Sequence, residues 1–145
     1  MAKLHGYSKN HILDLYQKMF ISRKLDEKML ILLKQGKSFF HIGASGHEAA
    51  QLAAAYLMKP NQDWSFPYYR DGAFCIGIGM TPKEQLLSFL ARADDPNSGG
   101  RQMPQHYGHK KLRIVSQSSP TGTQFLQAVG CALASKMSKK DDIVY

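Results

Sequence analysis

The last third of the chain sets its fold class. Ile114-Val115 is a short β-branched pair, and Ser116 to Gln124 (SQSSPTGTQ) is a loop with a turn-forming Pro and Gly. A helical pattern follows from about Thr123 to Met137, and Ile143-Val144-Tyr145 reads as the start of a second, buried strand. Strand, Gly-containing loop, helix and strand in that order is the alternation of an α/β protein with a parallel sheet flanked by helices. A sheet of this kind does not close on three residues, so the chain reads as a fragment of a longer subunit. The loop also carries a chemical implication. Backbone N–H groups at a helix start are unpaired and lie at the positive end of the helix dipole, which lets phosphate bind there without a dedicated basic residue. The charges agree: Pro96 to Lys140 holds no acidic residue, whereas Arg101, Lys110, Lys111, Arg113, Lys136, Lys139 and Lys140 are basic. The plainer alternative is a Ser/Thr-rich helix cap in which Ser119 and Thr121 only satisfy backbone groups.

The remaining segments announce helices. Ile12, Leu15, Met19, Leu30 and Leu33 recur at near-helical spacing between Ser8, a candidate N-cap, and Gly36, a stop. Arg23 and Glu27 stand one turn apart on that long helix and form a candidate surface pair. Ser45-Gly46-His47-Glu48 predicts a capping box for a second, Ala-rich helix ended by Pro60, and Thr81-Pro82-Lys83-Glu84 predicts another. Arg70 to Gly79 is ambiguous, because Gly72, Gly77 and Gly79 each weaken a helix unless close packing requires them. Asp94 to His109, with Asp-Pro and Asn-Ser-Gly-Gly, reads as an exposed loop. In the last helix Leu126, Val129, Leu133 and Met137 form one stripe, and small residues form another.

Composition narrows the function classes. The 145 residues suffice for one domain with a core, and a net charge of +8 suits nucleic acid, an anionic cofactor or an acidic protein without choosing among them. Cys75 and Cys131 form no CxxC pair and suit two reduced, buried thiols. Met1 to Asn10 contains no continuous apolar core, no apolar run approaches membrane-spanning length, and no targeting segment is visible; the expected location is cytoplasmic.

Three segments carry candidate chemistry. Phe66-Pro67-Tyr68-Tyr69-Arg70-Asp71 sets two aromatics and a planar guanidinium beside a turn, a fit for phosphate; its competitor is a structural Arg paired with Asp71 or Asp63. Gly99 to His106 (GGRQMPQH) presents a histidine able to exchange a proton near neutral pH, against the alternative of a solvated basic loop. The Ser116 to Gln124 loop is the third. His47-Glu48-Ala49-Ala50-Gln51 fails as a zinc helix, because Gln51 replaces the second His ligand. His41 reads as a packed histidine.

The stretches FHIGASGHEAAQ (Phe40 to Gln51), DWSFPYYRDG (Asp63 to Gly72), GRQMPQHY (Gly100 to Tyr107) and SSPTGTQFLQAVG (Ser118 to Gly130) occur in this order. Together they resemble the alpha subunit of the thiamine diphosphate-dependent decarboxylating component of 2-oxo acid dehydrogenase complexes, nearest the branched-chain type, from about Tyr16 onward. The resemblance implies a thiamine diphosphate-binding fold, with residues 1–45 as a helical arm and connecting loop and 46–145 as the first part of the cofactor domain. It implies that Tyr69, Arg70, Ser119 and Thr121 bind the diphosphate, and that Phe40, Tyr69, Met103 and His106 surround the 2-oxo acid, with His106 catalytic. Ser118, the Pro120 carbonyl, Thr123 and Gln124 correspond to potassium ligands, an all-oxygen set suited to a hard cation. Thr121 stands where relatives usually carry a bulky aliphatic residue that supports the bent cofactor. The magnesium ligands of the family, a Gly-Asp-Gly motif and a later Asn, are absent from this chain.

The activity implied for the full subunit is oxidative decarboxylation of a branched-chain 2-oxo acid with acyl transfer to lipoyl-lysine, the fragment alone being inactive. Its implied partners are a beta subunit, in a heterotetramer, and a lipoyl acyltransferase component, in the bacterial cytoplasm or the mitochondrial matrix. The rival readings are a basic nucleic-acid-binding domain, which lacks a helical stripe of cations, and a stand-alone interaction module.

Overall fold

A computed structural model describes residues 6–145; the first part of the Met1 to Asn10 stretch examined for a targeting signal lies outside the described residues. Five α-helices follow in order: α1 (Lys9–Lys34), α2 (Glu48–Leu57), α3 (Gly72–Gly77), α4 (Pro82–Phe89) and α5 (Thr123–Met137). Among the described residues no helix is long and apolar enough to cross a membrane.

Local signals place most of the helix ends. The Ser8 hydroxyl accepts from the His11 N–H at 3.3 Å and starts α1, and Gly36 leaves the helix at φ +68°. Thr81 and Glu84 cap each other's backbone N–H groups to open α4, as their spacing predicts. The second predicted box does not form. His47 is the N-cap of α2 without a side-chain bond, the Ser45 hydroxyl donates to Asp26 instead, and Glu48 accepts from the Gly46 N–H at 2.8 Å. Arg23 likewise passes over Glu27, which pairs with Lys24, and reaches Glu48 at 2.7 Å. Burial alone would raise the Glu48 carboxyl, but bonds from Arg23 and from backbone N–H groups outweigh it and hold the group below the usual range.

The core is organised by α3, whose Gly72 to Ile76 are all buried. Phe74 and Cys75 pack with Ala55, Ile78, Met80, Tyr107 and Ile114, while Ile76 joins Leu25, Met29 and Phe89. Each large apolar side chain so buried contributes roughly 1.5–3 kcal/mol. Gly77 is required by this arrangement: a Cβ there would lie 2.4 Å from the Ala55 Cβ, so α2 and α3 touch backbone to side chain. Cys75 is fully enclosed, and burial pushes its thiol well up; Cys131 is only partly buried, contrary to the sequence expectation.

The expected parallel sheet is represented by isolated bridges, and no longer strand forms among the described residues. Trp64 pairs in parallel with Val144, and Ser65 in parallel with Ile114. The Trp64 N–H donates to Ile143 O at 2.9 Å and the Val115 N–H to Ser65 O at 2.9 Å, which sets 64–66 between 113–115 and 143–145. Pairing of two or three residues is too short for a ladder. Ile143 and Tyr145 are exposed, not buried, and the apolar stripe of α5 is exposed as well, Leu126 at 83%. The one buried residue of α5 is Ser135.

Candidate functional site

The turn at 68–71 is built by buried partners. Asp71 accepts from the Tyr68 N–H at 2.8 Å, and its own N–H returns a bond to Tyr68 O at 2.9 Å. Gln51 completes the turn: its amide donates to Arg70 O and Asp71 Oδ1, both at 3.0 Å, and accepts from the Ala73 N–H at 3.2 Å. Burial raises the Asp71 carboxyl, opposed by the Tyr68 N–H. The position that disqualified a zinc helix thus holds the turn. Asp71 and Asp63 are both engaged by backbone N–H groups, and no ion pair among the described residues involves Arg70. The Arg70 guanidinium donates to Gly43 O at 2.6 Å and lies 5.7 Å from the Tyr69 ring centroid. A guanidinium has five N–H donors, so most remain for another acceptor.

The segment 94–109 is no exposed loop. Asp95 accepts from the N–H groups of Asn97, Ser98 and Gly100 at 3.1 to 3.2 Å, and Gln105, His106, Tyr107 and Gly108 are buried. Composition could not reveal this, because the polar residues that suggest solvent satisfy one another. Gln105 adopts φ +64°, uncommon for a side chain of its size, and its amide oxygen accepts from the Ile42 N–H. His106, 2% exposed, follows it. Its Nδ1 lies 3.1 Å from Pro104 O and its Nε2 2.7 Å from the Ser119 hydroxyl. A carbonyl only accepts, so Nδ1 carries the hydrogen and Nε2 accepts from Ser119 in the neutral ring.

The third segment reaches the same place from the far side. Gln117, in the amide orientation that satisfies both ends, donates to Pro67 O at 3.0 Å and accepts from the Tyr69 N–H at 2.9 Å. No side chain caps α5, whose N-cap is Gly122 at φ +91°. The simple capping alternative therefore does not describe Ser119 and Thr121. Ser118, Thr123 and the Pro120 carbonyl are joined through their oxygens, Thr123 Oγ1 donating to Pro120 O at 2.7 Å, whereas Gln124 points to an adjoining cleft.

Phe40, Tyr69, Arg70, Met103, His106 and Ser119 line one cleft of about 390 Å³, joined by Ile42. Thr121 is the exception. It lines the adjoining cleft of about 440 Å³ with Tyr68, Phe66 and Gln124, and meets the first through the tyrosines. The Tyr68 hydroxyl donates to that of Tyr69. This bond holds Tyr69 below the ordinary tyrosine range, helped by Thr121, and pushes Tyr68 above it.

Residues 16–145 match the family described as Dehydrogenase E1 component. The chain belongs to this family. It is 48% identical over 136 residues to the 2-oxoisovalerate dehydrogenase subunit alpha of Bacillus subtilis (strain 168), covering 94% of this chain and 41% of that protein. It is 35% identical over 127 residues to the mitochondrial subunit alpha 2 of Arabidopsis thaliana (88% and 26%) and 33% identical over 139 residues to the mitochondrial subunit alpha of Homo sapiens (94% and 30%). The chain thus spans less than half the length of these relatives. Membership in the E1 family implies dependence on thiamine diphosphate, an anionic cofactor.

The donor set fits a diphosphate: the Arg70 guanidinium, without an ion pair among the described residues, lines one cleft with the Tyr69 and Ser119 hydroxyls, and the start of α5, without a side-chain cap, borders the adjoining one through Thr121 and Gln124. Sequence reasoning missed Asp26, Gln51 and Gln117 as supports, because each acts on residues distant in sequence.

Proposed function

We propose that this chain is part of the alpha subunit of a branched-chain 2-oxo acid dehydrogenase and that the 390 Å³ cleft is its half of the active site. The observation carrying this reading is the convergence on that cleft of six residues named from the sequence, Phe40, Tyr69, Arg70, Met103, His106 and Ser119, from four separate stretches of the chain. Tyr69, Arg70 and Ser119 bind the diphosphate, and Thr121 contributes by ordering the two tyrosines. Thiamine diphosphate, when bound, supplies the carbanion chemistry for decarboxylation. The side chains of Phe40 and Met103 accept the aliphatic tail of the substrate. His106 holds a proton acceptor at Nε2, and Pro104 O fixes the tautomer that keeps it there. Acyl transfer goes to lipoyl-lysine.

Ser118, Pro120 and Thr123 supply oxygens for a potassium ion, with Gln124 requiring a turn of its side chain to join them. Magnesium accompanies the diphosphate, with no ligand assigned among residues 1–145. The bridges at Trp64, Ser65, Ile114 and Val144 are taken as the beginning of the family's parallel sheet, with 1–45 as its helical arm and 46–145 as the first part of its cofactor domain. A beta subunit and a lipoyl acyltransferase complete the assembly, in the cytoplasm or the mitochondrial matrix.

The test is calorimetric titration of the complete alpha subunit, assembled with its beta subunit, with magnesium thiamine diphosphate. Arg70→Ala is expected to weaken binding at least about tenfold, the size of one lost charge-assisted hydrogen bond. Unchanged affinity, or a cofactor-blind protein that binds DNA with steep salt dependence, overturns the assignment.

A further inference from the structure

We propose that Asp26, on α1 and outside the cleft, is a positioning residue for the Arg70 clamp. The inference rests on the cofactor reading above and adds to it a residue that touches neither cofactor nor substrate. Asp26 is buried, and what it binds is the 41–45 turn: the Ser45 hydroxyl donates to it at 2.6 Å, the Ala44 N–H at 3.4 Å, and His41 Nε2 lies 2.9 Å away. The His41 contact has ion-pair distance without hydrogen-bond alignment, so the Ser45 and Ala44 bonds carry the attachment. Gly43 immediately precedes these anchors, and its carbonyl, in the same planar peptide group as the Ala44 N–H, takes the 2.6 Å bond from Arg70.

The geometry gives this turn a task. The Gly43 carbonyl is a polar partner that the structure supplies to the guanidinium, which forms no ion pair among the described residues. Its direction decides which Arg70 donors are spent inward and which face the cleft. A carboxylate that accepts from two successive residues, Ala44 and Ser45, fixes that direction better than a neutral acceptor, because its bonds are charge-assisted. Arg23, one turn earlier on α1, holds Glu48 at the far end of the same connection. α1 therefore sets the clamp from behind, and Phe40 and Ile42, on the near end of the turn, share the same support.

The experiment compares Asp26→Ala, Arg70→Ala and the double variant in the complete alpha subunit assembled with its beta subunit. Calorimetric affinity for magnesium thiamine diphosphate and kcat at saturating cofactor are read separately. Asp26→Ala is expected to weaken the cofactor about tenfold with kcat changed less than about twofold, and the double variant to bind no more weakly than Arg70→Ala alone. Asp26→Asn, which keeps one acceptor oxygen, falls between. Wild-type affinity in Asp26→Ala, or additive losses in the double variant, overturns the inference while leaving the clamp in place. Wild-type affinity in Arg70→Ala removes the clamp and this inference together. Should Asp26→Ala fail to assemble, Asp26→Asn and Ser45→Ala decide by the same measurements.

Discussion

On one side of the cleft Tyr69 and Arg70 sit on a turn tied to Gln51, Asp71, Gln117 and the Gly43 carbonyl, whereas Ser119, on the other, sits in the segment 118–123, whose remaining bonds are largely internal. Ser118, Pro120 and Thr123 bind one another, and α5 behind them leaves Leu126 and Met137 83% and 75% exposed. The first wall has its shape before any ligand arrives. The second has hydroxyls in place but little packing behind them among the described residues. On the proposed cofactor reading, a diphosphate site divided in this way would place its rigid part under the guanidinium and leave the helix N-terminus to be ordered by what binds there.

The sharpest way to break this contrast is to crowd the braced wall. A Cβ on Gly77, in the helix that follows the turn, would lie 2.4 Å from the Cβ of Ala55 on α2, the helix that carries Gln51. Gly77→Ala is expected to destabilise the chain by roughly 3 kcal/mol, at the upper end of overpacking, in chemical denaturation. A cost below about 0.5 kcal/mol would show that the wall yields, contrary to its packing. Gln51→Leu comes next. It strips the Ala73 N–H and the Asp71 carboxylate of their bonds inside the core and is expected to cost about 2 kcal/mol. Burial already holds the Asp71 carboxyl high, so losing the Gln51 donor should raise it further, a shift that proton titration by NMR would show.

What sequence made legible follows the same division. Ser8 and Thr81 cap as their spacing predicts, because their partners lie three residues away and the geometry is local. Ser45 and Glu48 have identical spacing, yet Ser45 goes to Asp26 and Glu48 to Arg23, so a stronger distant charge overrides a local cap. The residues lining the cleft were found as motifs, but their supports were not. Gln51, Asp26 and Gln117 carry no local pattern, and their roles exist only once the loops are brought together. The 105–108 segment is buried against its polar composition for a related reason: polarity predicts exposure only when the polar groups lack one another. Parallel strands were expected from β-branched residues, and pairing occurs where they stand, but two or three residues form bridges and no ladder.

The loose side calls for the opposite outcome. Gly130 lies within α5, and a Cβ added there meets nothing within 4 Å. Gly130→Ala is expected to stabilise this chain by up to about 1 kcal/mol through helix propensity alone, measured by thermal unfolding. A loss of stability would mean that another element of the chain already packs against that face in solution.

The smallest effect concerns the contact between the two sides. Thr121 belongs to the loose loop, but it borders the tyrosine pair, where Tyr68 is the larger cause of the lowered Tyr69 pKa and Thr121 the second. Removing a donor to a phenolate raises its pKa, so Tyr68→Phe should return Tyr69 toward the ordinary range and Thr121→Val should move it part of the way. Ultraviolet difference titration of the phenols reads both, with the wild type showing one tyrosine that ionises early. The Tyr68 effect depends only on the braced turn and should survive in any state in which that turn is folded. The Thr121 effect requires the loop to be docked. If Tyr68→Phe removes the early phase and Thr121→Val leaves it intact, the loop spends its time away from the turn, and the two walls meet only when the diphosphate spans them.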